Sequence, residues 1–361
     1  MDRIRIGVVG CGAIAQVQHL PHIAELRDRY ELAGLCDASA KLVDFIGEMY
    51  DVPDRNRVTR YEDLLALDLD AVLLCFADPK TDAAVTALDA GKHVFIEKPM
   101  CYSVREADRI IGAAEASGKT LMVGYMKQHD PGYRFARDEV LAMPDIRFIQ
   151  ANHLHCGNDR HLSEYTLYAF DDIPPDVIED TAKRRERAVR EAIGDVPEAA
   201  RRIFFSLSGS MIHDISSLRG LFGPPQRVVS AEVWRGGSSV TTVLAYENDA
   251  RCVATWTSLP ELHDFRETLE VFGAGRRVGI RFPTGFDRGL PSPVTVMGMD
   301  GEQPWKKELV VNKQNAFKLE LIHFHDCVVN GKPPITDGYG ARQDHALCRD
   351  IVHTYMRANP S

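Results

Sequence analysis

The sequence predicts an α/β protein of two domains, a parallel sheet with crossover helices followed by an α+β domain with a large, mainly antiparallel sheet. Three observations support this. Short apolar runs alternate with helical patterns up to residue 125. A Gly-rich turn lies between the first run and the first helix. Six strand patterns joined by Gly or Asn turns, the last at residues 293–298, then make up most of residues 227–309. Alternation of this kind is typical of doubly wound sheets, which bind ligands at the carboxyl ends of their strands.

The Gly-rich turn has the form G-x-G-x-x-A. The apolar run Ile4–Val9 leads directly into the letters GCGAIA at positions 10–15, and a helical pattern follows. Gly10 permits the tight turn, and Gly12 lets the backbone approach a pyrophosphate. The start of the helix offers free N–H groups and the positive end of its dipole. We therefore expect a Rossmann dinucleotide site in which Gly10, Gly12, Ala13 and Ile14 contact the cofactor.

An acidic residue stands where such a site needs one. The strand pattern Tyr30–Cys36 ends at Asp37, 25 residues after Gly12. A carboxylate at this position accepts hydrogen bonds from ribose hydroxyls and repels a 2′-phosphate. The sequence therefore favours NAD over NADP as the cofactor.

The other elements follow from the same patterns. In the first domain, residues 1–125, we expect strands at 58–59, 71–76, 93–96 and 121–124 and helices at 41–50, 62–67, 81–90 and 104–117. In the second, residues 126–361, we expect helices at 133–142, 210–222, 317–329 and 341–357 and a long strand at 146–156. The charged stretch 171–202, rich in helix formers, is interpreted as a helical insertion. It would form a flap over the site or an oligomer contact.

Composition excludes several classes of function. The net charge of −9 argues against a nucleic-acid-binding surface, which needs a basic excess. No apolar run approaches the roughly 20 residues of a membrane span, so no membrane partner is expected. The eight cysteines are scattered without a C-x-x-C pair, which suits a reducing cytoplasm better than a disulfide framework. We expect a cytoplasmic protein.

Three further stretches resemble one family. Residues 90–99 read AGKHVFIEKP, residues 124–131 read GYMKQHDP, and NGKPP at 330–334 is followed by Asp337 and Gly338. Together with the Gly-rich turn, these resemble the Gfo/Idh/MocA family, the glucose–fructose oxidoreductase and inositol dehydrogenase group. The resemblance covers essentially the whole chain except residues 158–202.

The EKP stretch at residues 97–99 matches the part of the family that contains the catalytic lysine. In the family's dehydrogenases the matching lysine hydrogen-bonds the hydroxyl being oxidised, so Lys98 is expected to be catalytic and to lie at the cofactor. An amine desolvated at a strand end can exchange protons near neutral pH. Glu97 would orient the site beside the cofactor, and Pro99 would set the turn through a cis peptide. Phe76 and Ala77, in a loop that lacks the family's histidine, are expected to flank the cofactor.

A second motif is only partly matched. The segment Ser208–Ile215 resembles the family's G-x-x-x-D-x-x-x-H-x-x-D, and His213 falls on its histidine, which assigns it a catalytic role. The family's two acids are Gly209 and Ser216 here. Asp214 is the only carboxylate left in this segment, and at i+1 it points to a different helical face. It is expected to bind substrate.

Alternating histidines suggest the other substrate-binding residues. His153 and His155 lie two apart on a predicted strand, so both point to one face of the sheet. With Asn158 and His161 they could chelate a metal, but a polar pocket wall is the simpler interpretation, and no metal is expected. Lys127, in the stretch that joins the two domains, is also expected to bind substrate.

These observations predict an NAD-dependent oxidoreductase that transfers a hydride between nicotinamide and a carbinol carbon of a sugar, cyclitol or related polyol. Two alternatives remain open. One is a glycoside-cleaving or lyase enzyme that uses NAD through a transient keto-sugar without net redox change. The other is a non-catalytic NAD-binding module. The open sheet of the second domain, as in the family, suggests a homodimer or homotetramer.

Overall fold

The structure, a computed structural model, describes residues 3–77, 79–262, 264–309 and 314–360. The chain forms two compact units. The first contains residues 1–125, 164–192 and 317–342, and the second contains residues 126–163, 193–316 and 343–361. No helix among these described residues combines the length and apolar character needed to cross a membrane.

A six-stranded parallel sheet forms the centre of the first unit and confirms the predicted Rossmann fold. The strands are β1 Ile4–Val9, β2 Tyr30–Cys36, β3 Arg57–Val58, β4 Ala71–Leu74, β5 His93–Glu97 and β6 Leu121–Gly124. Their order in the sheet is β3-β2-β1-β4-β5-β6, so the topological switch point lies between β1 and β4. A π-helical turn at Ala15–His19 leads into the first of the helices α1 Leu20–Glu25, α2 Ala40–Met49, α3 Tyr61–Leu65, α4 Thr81–Asp89 and α5 Val104–Ser117.

Local chemistry explains where these elements begin and end. The central strands are apolar because helices cover both faces of a parallel sheet, and β4 is buried along its whole length. Helix α5 starts with a capping box, in which Ser103 and Glu106 each accept a hydrogen bond from the other's backbone N–H. It ends at Gly118, whose φ of 64° is left-handed.

The boundary of the second domain differs from the predicted one. We expected residues 126–361 to form one unit, but residues 164–192 and 317–342 pack with the first. The reason is visible at helix α11, Ala316–Asn330, whose Leu321 and Phe324 are part of the same apolar core as β1. The Tyr30 hydroxyl also donates to the Leu321 carbonyl at 2.5 Å.

The second unit is built on an eight-stranded sheet. Its strands are β7 Phe148–His155, β8 Arg227–Trp234, β9 Ser239–Ala245, β10 Arg251–Ser258, β11 Arg266–Phe272, β12 Arg276–Phe282, β13 Val294–Asp300 and β14 Gln303–Leu309. Their order is β14-β13-β12-β11-β7-β10-β9-β8, and all neighbours are antiparallel except β7 and β10, which confirms a mainly antiparallel sheet. Strand β14 has few apolar residues and was not predicted.

The remaining helices include the predicted insertion. Within 171–202 the chain forms α8, Pro175–Ile193, and the first part of α9, Glu198–Ser206. A π-helical turn at Leu207–Met211 continues into α10, Ile212–Phe222. The other helices are α6 Pro131–Leu141, α7 Asn158–Leu162 and α12 Gly338–Ala358. The insertion is therefore helical, as its composition indicated.

Candidate active site

The Gly-rich turn has the geometry of a nucleotide cradle. Gly10 has a φ of +93°, and a Cβ placed on it would lie 2.5 Å from the backbone nitrogen of Phe76. A side chain at Gly10 would therefore push the β1 and β4 loops apart. Around Gly12, by contrast, no described heavy atom lies within 4 Å of an added Cβ. The open backbone at Gly12 fits the close approach of a pyrophosphate.

Asp37 is held at the same turn. Its Oδ2 accepts the Cys11 N–H at 2.8 Å, and its Oδ1 accepts the Ser39 N–H at 2.9 Å. Strands β1 and β2 are neighbours in the sheet, so their carboxyl ends place the turn and Asp37 side by side. The residues present thus fit the adenosine half of a nicotinamide dinucleotide, with a carboxylate for the ribose.

Lys98 stands at the same edge of the sheet. Val9, Leu74 and Ile96 lie in one row across β1, β4 and β5, so the ends of these strands coincide. With about 4.8 Å between neighbouring strands, the turn after β5 is roughly 10 Å from the turn after β1. The Lys98–Pro99 peptide bond is cis, as expected. Lys98 is half-buried, and it follows directly on the buried Glu97.

Glu97 is fixed from two sides. Its Oε1 lies 2.7 Å from Nε2 of His19, and its Oε2 accepts the backbone N–H of Lys98 at 3.0 Å. Burial alone would raise the pKa of this carboxyl, but His19, Lys98 and Lys80 lower it below its ordinary value. Glu97 therefore stays ionised and holds the backbone that presents the lysine.

A second carboxyl joins this pair from α11. The carboxyl group of Glu320 lies in the same buried cluster as His19 and Glu97, with ligand atoms within 4.8 Å of one another. Neither of its oxygens has a hydrogen-bond partner among the described residues. Burial, and then the charge of Glu97, raise the pKa of Glu320 well above its ordinary value. Its uncharged form is the one that this environment favours.

The second unit contains its own buried polar cluster. Nδ1 of His153 lies 2.7 Å from Oδ2 of Asp214 and 3.9 Å from Oε2 of Glu267. The Lys127 ammonium pairs with Oε1 of Glu267. All four side chains are buried. Their charges are balanced by neighbours, which is what burial of ionised groups requires.

The two carboxyls of this cluster have opposite pKa shifts. Burial and the charge of Asp214 raise the pKa of Glu267, although Lys127 and His153 oppose the shift. For Asp214 burial acts in the same direction, but the charge and hydrogen bond of His153 lower its pKa below the ordinary value. Carboxyls with divergent pKa values are typical of proton-handling sites.

His155 connects the cluster to a less buried position. Its Nδ1 lies 3.4 Å from Nε2 of His153, so the two rings share one face, as their spacing predicted. His155 stacks on Trp256 with 5.8 Å between ring centroids. The Trp256 indole donates to the Ser210 hydroxyl at 2.9 Å. Polar groups on an aromatic wall suit a ligand with several hydroxyls.

The structure adds two observations about this region to the sequence analysis. The histidine that pairs with Asp214 is His153, while His213 is half-buried on another face of α10, in agreement with its i+1 spacing. Glu267 was missed altogether. The sequence did contain a signal for Glu267, because Glu267, Leu269 and Val271 occupy every second position of β11 and so share its buried face. An acid on the buried face of a strand is a candidate functional residue.

The structure does not assemble the metal set considered from the sequence. Of the three histidines in that set, His153, His155 and His161, only His153 belongs to a group of His, Cys, Asp or Glu side chains with metal-ligand spacing in the described part of the chain. That group already contains a cation, since the ammonium of Lys127 pairs with Glu267. Nε2 of His161 instead lies 3.0 Å from the sulfur of Cys156.

Comparison with known proteins places this geometry in a family. Residues 4–125 match the model of an oxidoreductase family with an NAD-binding Rossmann fold. Inositol 2-dehydrogenase 3 of Saccharopolyspora erythraea is 32% identical over 365 residues, which cover 97% of this chain and 92% of the relative. The chain belongs to the Gfo/Idh/MocA family of oxidoreductases. It therefore carries the fold and the oxidoreductase character of that family.

Other relatives and solved structures agree with this. Inositol 2-dehydrogenase/D-chiro-inositol 3-dehydrogenase of Shouchella clausii is 34% identical over 132 residues, 36% of this chain and 38% of that protein. Aldose-aldose oxidoreductase from Caulobacter crescentus, solved with glycerol, has a TM-score of 0.76 at 20% identity, covering 99% of both chains. KijD10, a 3-ketoreductase from Actinomadura kijaniata solved with TDP-benzene and NADP, has a TM-score of 0.72 at 20% identity, covering 98% of both. These two structures support the fold.

Proposed function

We propose that this Gfo/Idh/MocA protein is an NAD-dependent dehydrogenase or reductase. It transfers a hydride between nicotinamide and a carbinol carbon of a sugar, cyclitol or related polyol. The observation that carries the proposal is Lys98 at the carboxyl end of β5, on the same sheet edge as the Gly10–Gly12 turn. Ligands of doubly wound sheets bind at this edge.

The residues of the first unit have separate roles in this reaction. Bound NAD supplies the hydride acceptor. Lys98 hydrogen-bonds the substrate hydroxyl and takes its proton as the carbon is oxidised. Glu97, held by His19, fixes the backbone from which Lys98 projects. Phe76 and Ala77 flank the cofactor, and Asp37 binds the ribose.

The polar cluster of the second unit supports a polyhydroxylated substrate. Lys127, His153, His155 and Asp214 supply donors and acceptors that can bind several hydroxyls. His213 assists the proton transfer. Relatives that carry the name inositol 2-dehydrogenase agree with this choice of substrate class.

Substitution of Lys98 tests the mechanism. In Lys98→Met the proton acceptor is lost, so NADH formation with inositols and sugars, followed at ~340 nm, should fall by about 10²–10⁴-fold. The affinity for NAD, measured by calorimetry, should stay within about threefold, since the lysine does not hold the cofactor's phosphates.

Lys98→Arg is the matched control. It keeps the positive charge but cannot release its proton near neutral pH, so it should be as inactive as the Met variant. Normal turnover by either variant would remove Lys98 from the mechanism. Analysis of products separates the proposal from glycoside cleavage through a keto-sugar, because only net oxidation accumulates NADH.

We also propose a homodimer or homotetramer in the cytoplasm. Support for assembly comes from β13, where Met297 and Met299 are large exposed apolar side chains on an open sheet. Support for the cytoplasm comes from the eight cysteines, since no disulfide joins any of them and all lie within the described residues.

A further inference from the structure

The segment 164–172, which precedes α8, is bound to the dinucleotide-binding part of the first unit. The Gln16 side chain donates to the Tyr168 carbonyl and accepts the Tyr168 N–H, both at 2.9 Å. The ring of Tyr168 packs on Phe45 of α2 with 4.3 Å between centroids. These contacts hold the segment between the helix that follows the Gly-rich turn and helix α2.

Asp172, at the end of this segment, is anchored at the start of α2. One carboxylate oxygen accepts the hydroxyl hydrogen of Ser39, and the other accepts the backbone N–H of Lys41 at 2.9 Å. Ser39 is the N-cap of α2 and donates its own N–H to Asp37 at 2.9 Å. Two carboxylates therefore meet at Ser39, one from Asp37, which directly follows β2, and one from Asp172, 133 positions away.

The two groups that bind Asp172 are also suited to bind a phosphate. A hydroxyl and a backbone N–H that has no partner within its helix, together with the positive end of the helix dipole, form an anion site. They directly follow Asp37, the acid assigned to the adenosine ribose. The hydrogen bond from Lys41, and then that from Ser39, lower the pKa of Asp172, so its carboxylate is charged at neutral pH. A 2′-phosphate on that ribose would meet this charge.

We infer that Asp172 determines cofactor specificity: its carboxylate fills the corner formed by Ser39 and Lys41 and excludes the 2′-phosphate of NADP. The inference rests on the proposed function, in which Asp37 binds the ribose of NAD. It extends that proposal, because the discrimination comes from a distant segment as well as from the acid at the end of β2. Like charges in one corner repel, whereas the 2′-hydroxyl of NAD places no charge there.

The test measures the binding of NAD and NADP to the full chain by calorimetry, without a substrate. Asp172→Asn keeps an acceptor for the Lys41 N–H but removes the charge. Relative to the native protein, it should raise the ratio of NADP affinity to NAD affinity by about tenfold. Asp172→Ala should raise the ratio as well, since it also frees Ser39 and Lys41 for the phosphate. Asp171→Asn, a neighbouring and more exposed charge, is the matched control and should leave the ratio unchanged.

The outcomes are distinct. An unchanged ratio in both Asp172 variants, or equal weakening of both cofactors, would assign Asp172 a purely structural role and overturn the inference. Equal binding of NAD and NADP by the native protein would overturn it as well. Because the readout is binding, a failure to oxidise any polyol would refute the proposed activity and leave this result standing.

Discussion

Glu267, through its ion pair with Lys127, shows how a buried residue can matter without belonging to a motif. Each is almost inaccessible, and each is the other's ionic partner in the interior of the second unit. The Lys127 ammonium also lies 4.8 Å from the centroid of the Phe282 ring. Removing one member would leave an uncompensated charge, which is far costlier than removing both.

A double-mutant cycle tests the ion pair between Lys127 and Glu267. Glu267→Gln and Lys127→Met should each destabilise the protein by about 3 kcal/mol, because a single charge is left buried. The double variant should recover part of the loss, with a coupling energy of about 1–3 kcal/mol. Urea denaturation followed by circular dichroism provides the measurement. Strictly additive losses would show that the two side chains do not form an ion pair in solution.

At the scale of elements, α11 contributes a buried carboxyl to the groups that position the Lys98 turn. Although it follows the second sheet along the chain, it packs in the first unit and inserts Glu320 beside Glu97 and His19. A carboxyl without a described partner in this position is held in its uncharged form. The helix therefore adds a titrating group to the region that positions Lys98.

The raised pKa of Glu320 predicts how stability depends on pH. The folded state keeps this proton above pH 4.5, the ordinary value, where the unfolded chain has released it. The folded state then binds more protons, so stability falls as pH rises through this range. Glu320→Gln, which mimics the uncharged form, should be more stable than the native protein at pH 7–8 and equal to it near pH 4. The gain is about 1.4 kcal/mol for each unit of the pKa shift that it removes.

Thermal denaturation across that pH range measures the effect. Glu48→Gln, on the exposed side of α2, is the matched control and should leave the pH profile unchanged. If Glu320→Gln shows the same pH profile as the native protein, the carboxyl does not titrate in the way its surroundings indicate.

At the scale of the whole molecule, the open second sheet predicts assembly. Met299 on β13 is 53% exposed and lies beside Met297, whereas the opposite parity of the strand is buried at Val294 and Val296. Covering these methionines would remove apolar surface from water, at roughly 25 cal/mol per Å². Light scattering should therefore give the mass of a dimer or tetramer, and Met299→Glu should shift it towards the monomer. A native protein that is monomeric at micromolar concentration would contradict the assembly.

The sequence could predict what depends on short-range pattern. The sequence placed three features at the carboxyl ends of strands: the Gly10–Gly12 turn, Asp37 and the EKP turn. The structure has each of them at the predicted strand end. Apolar runs and turn residues report local backbone geometry, and the motifs around these residues were enough to indicate the Gfo/Idh/MocA family. The missing strand, β14, has little apolar alternation, which explains why no pattern revealed it.

The chain by itself therefore determined the fold class, the family and the nucleotide turn, because these depend on neighbours in sequence. Only the tertiary structure decided which distant residues meet. It pairs His19 with Glu97 across 78 positions, His153 with Asp214 across 61, and Ser39 with Asp172 across 133. The tertiary structure also packs residues 164–192 and 317–342 into the first unit. The physical reason is that burial and ion pairing are satisfied by whichever groups packing brings together, and a linear pattern contains no information about that choice.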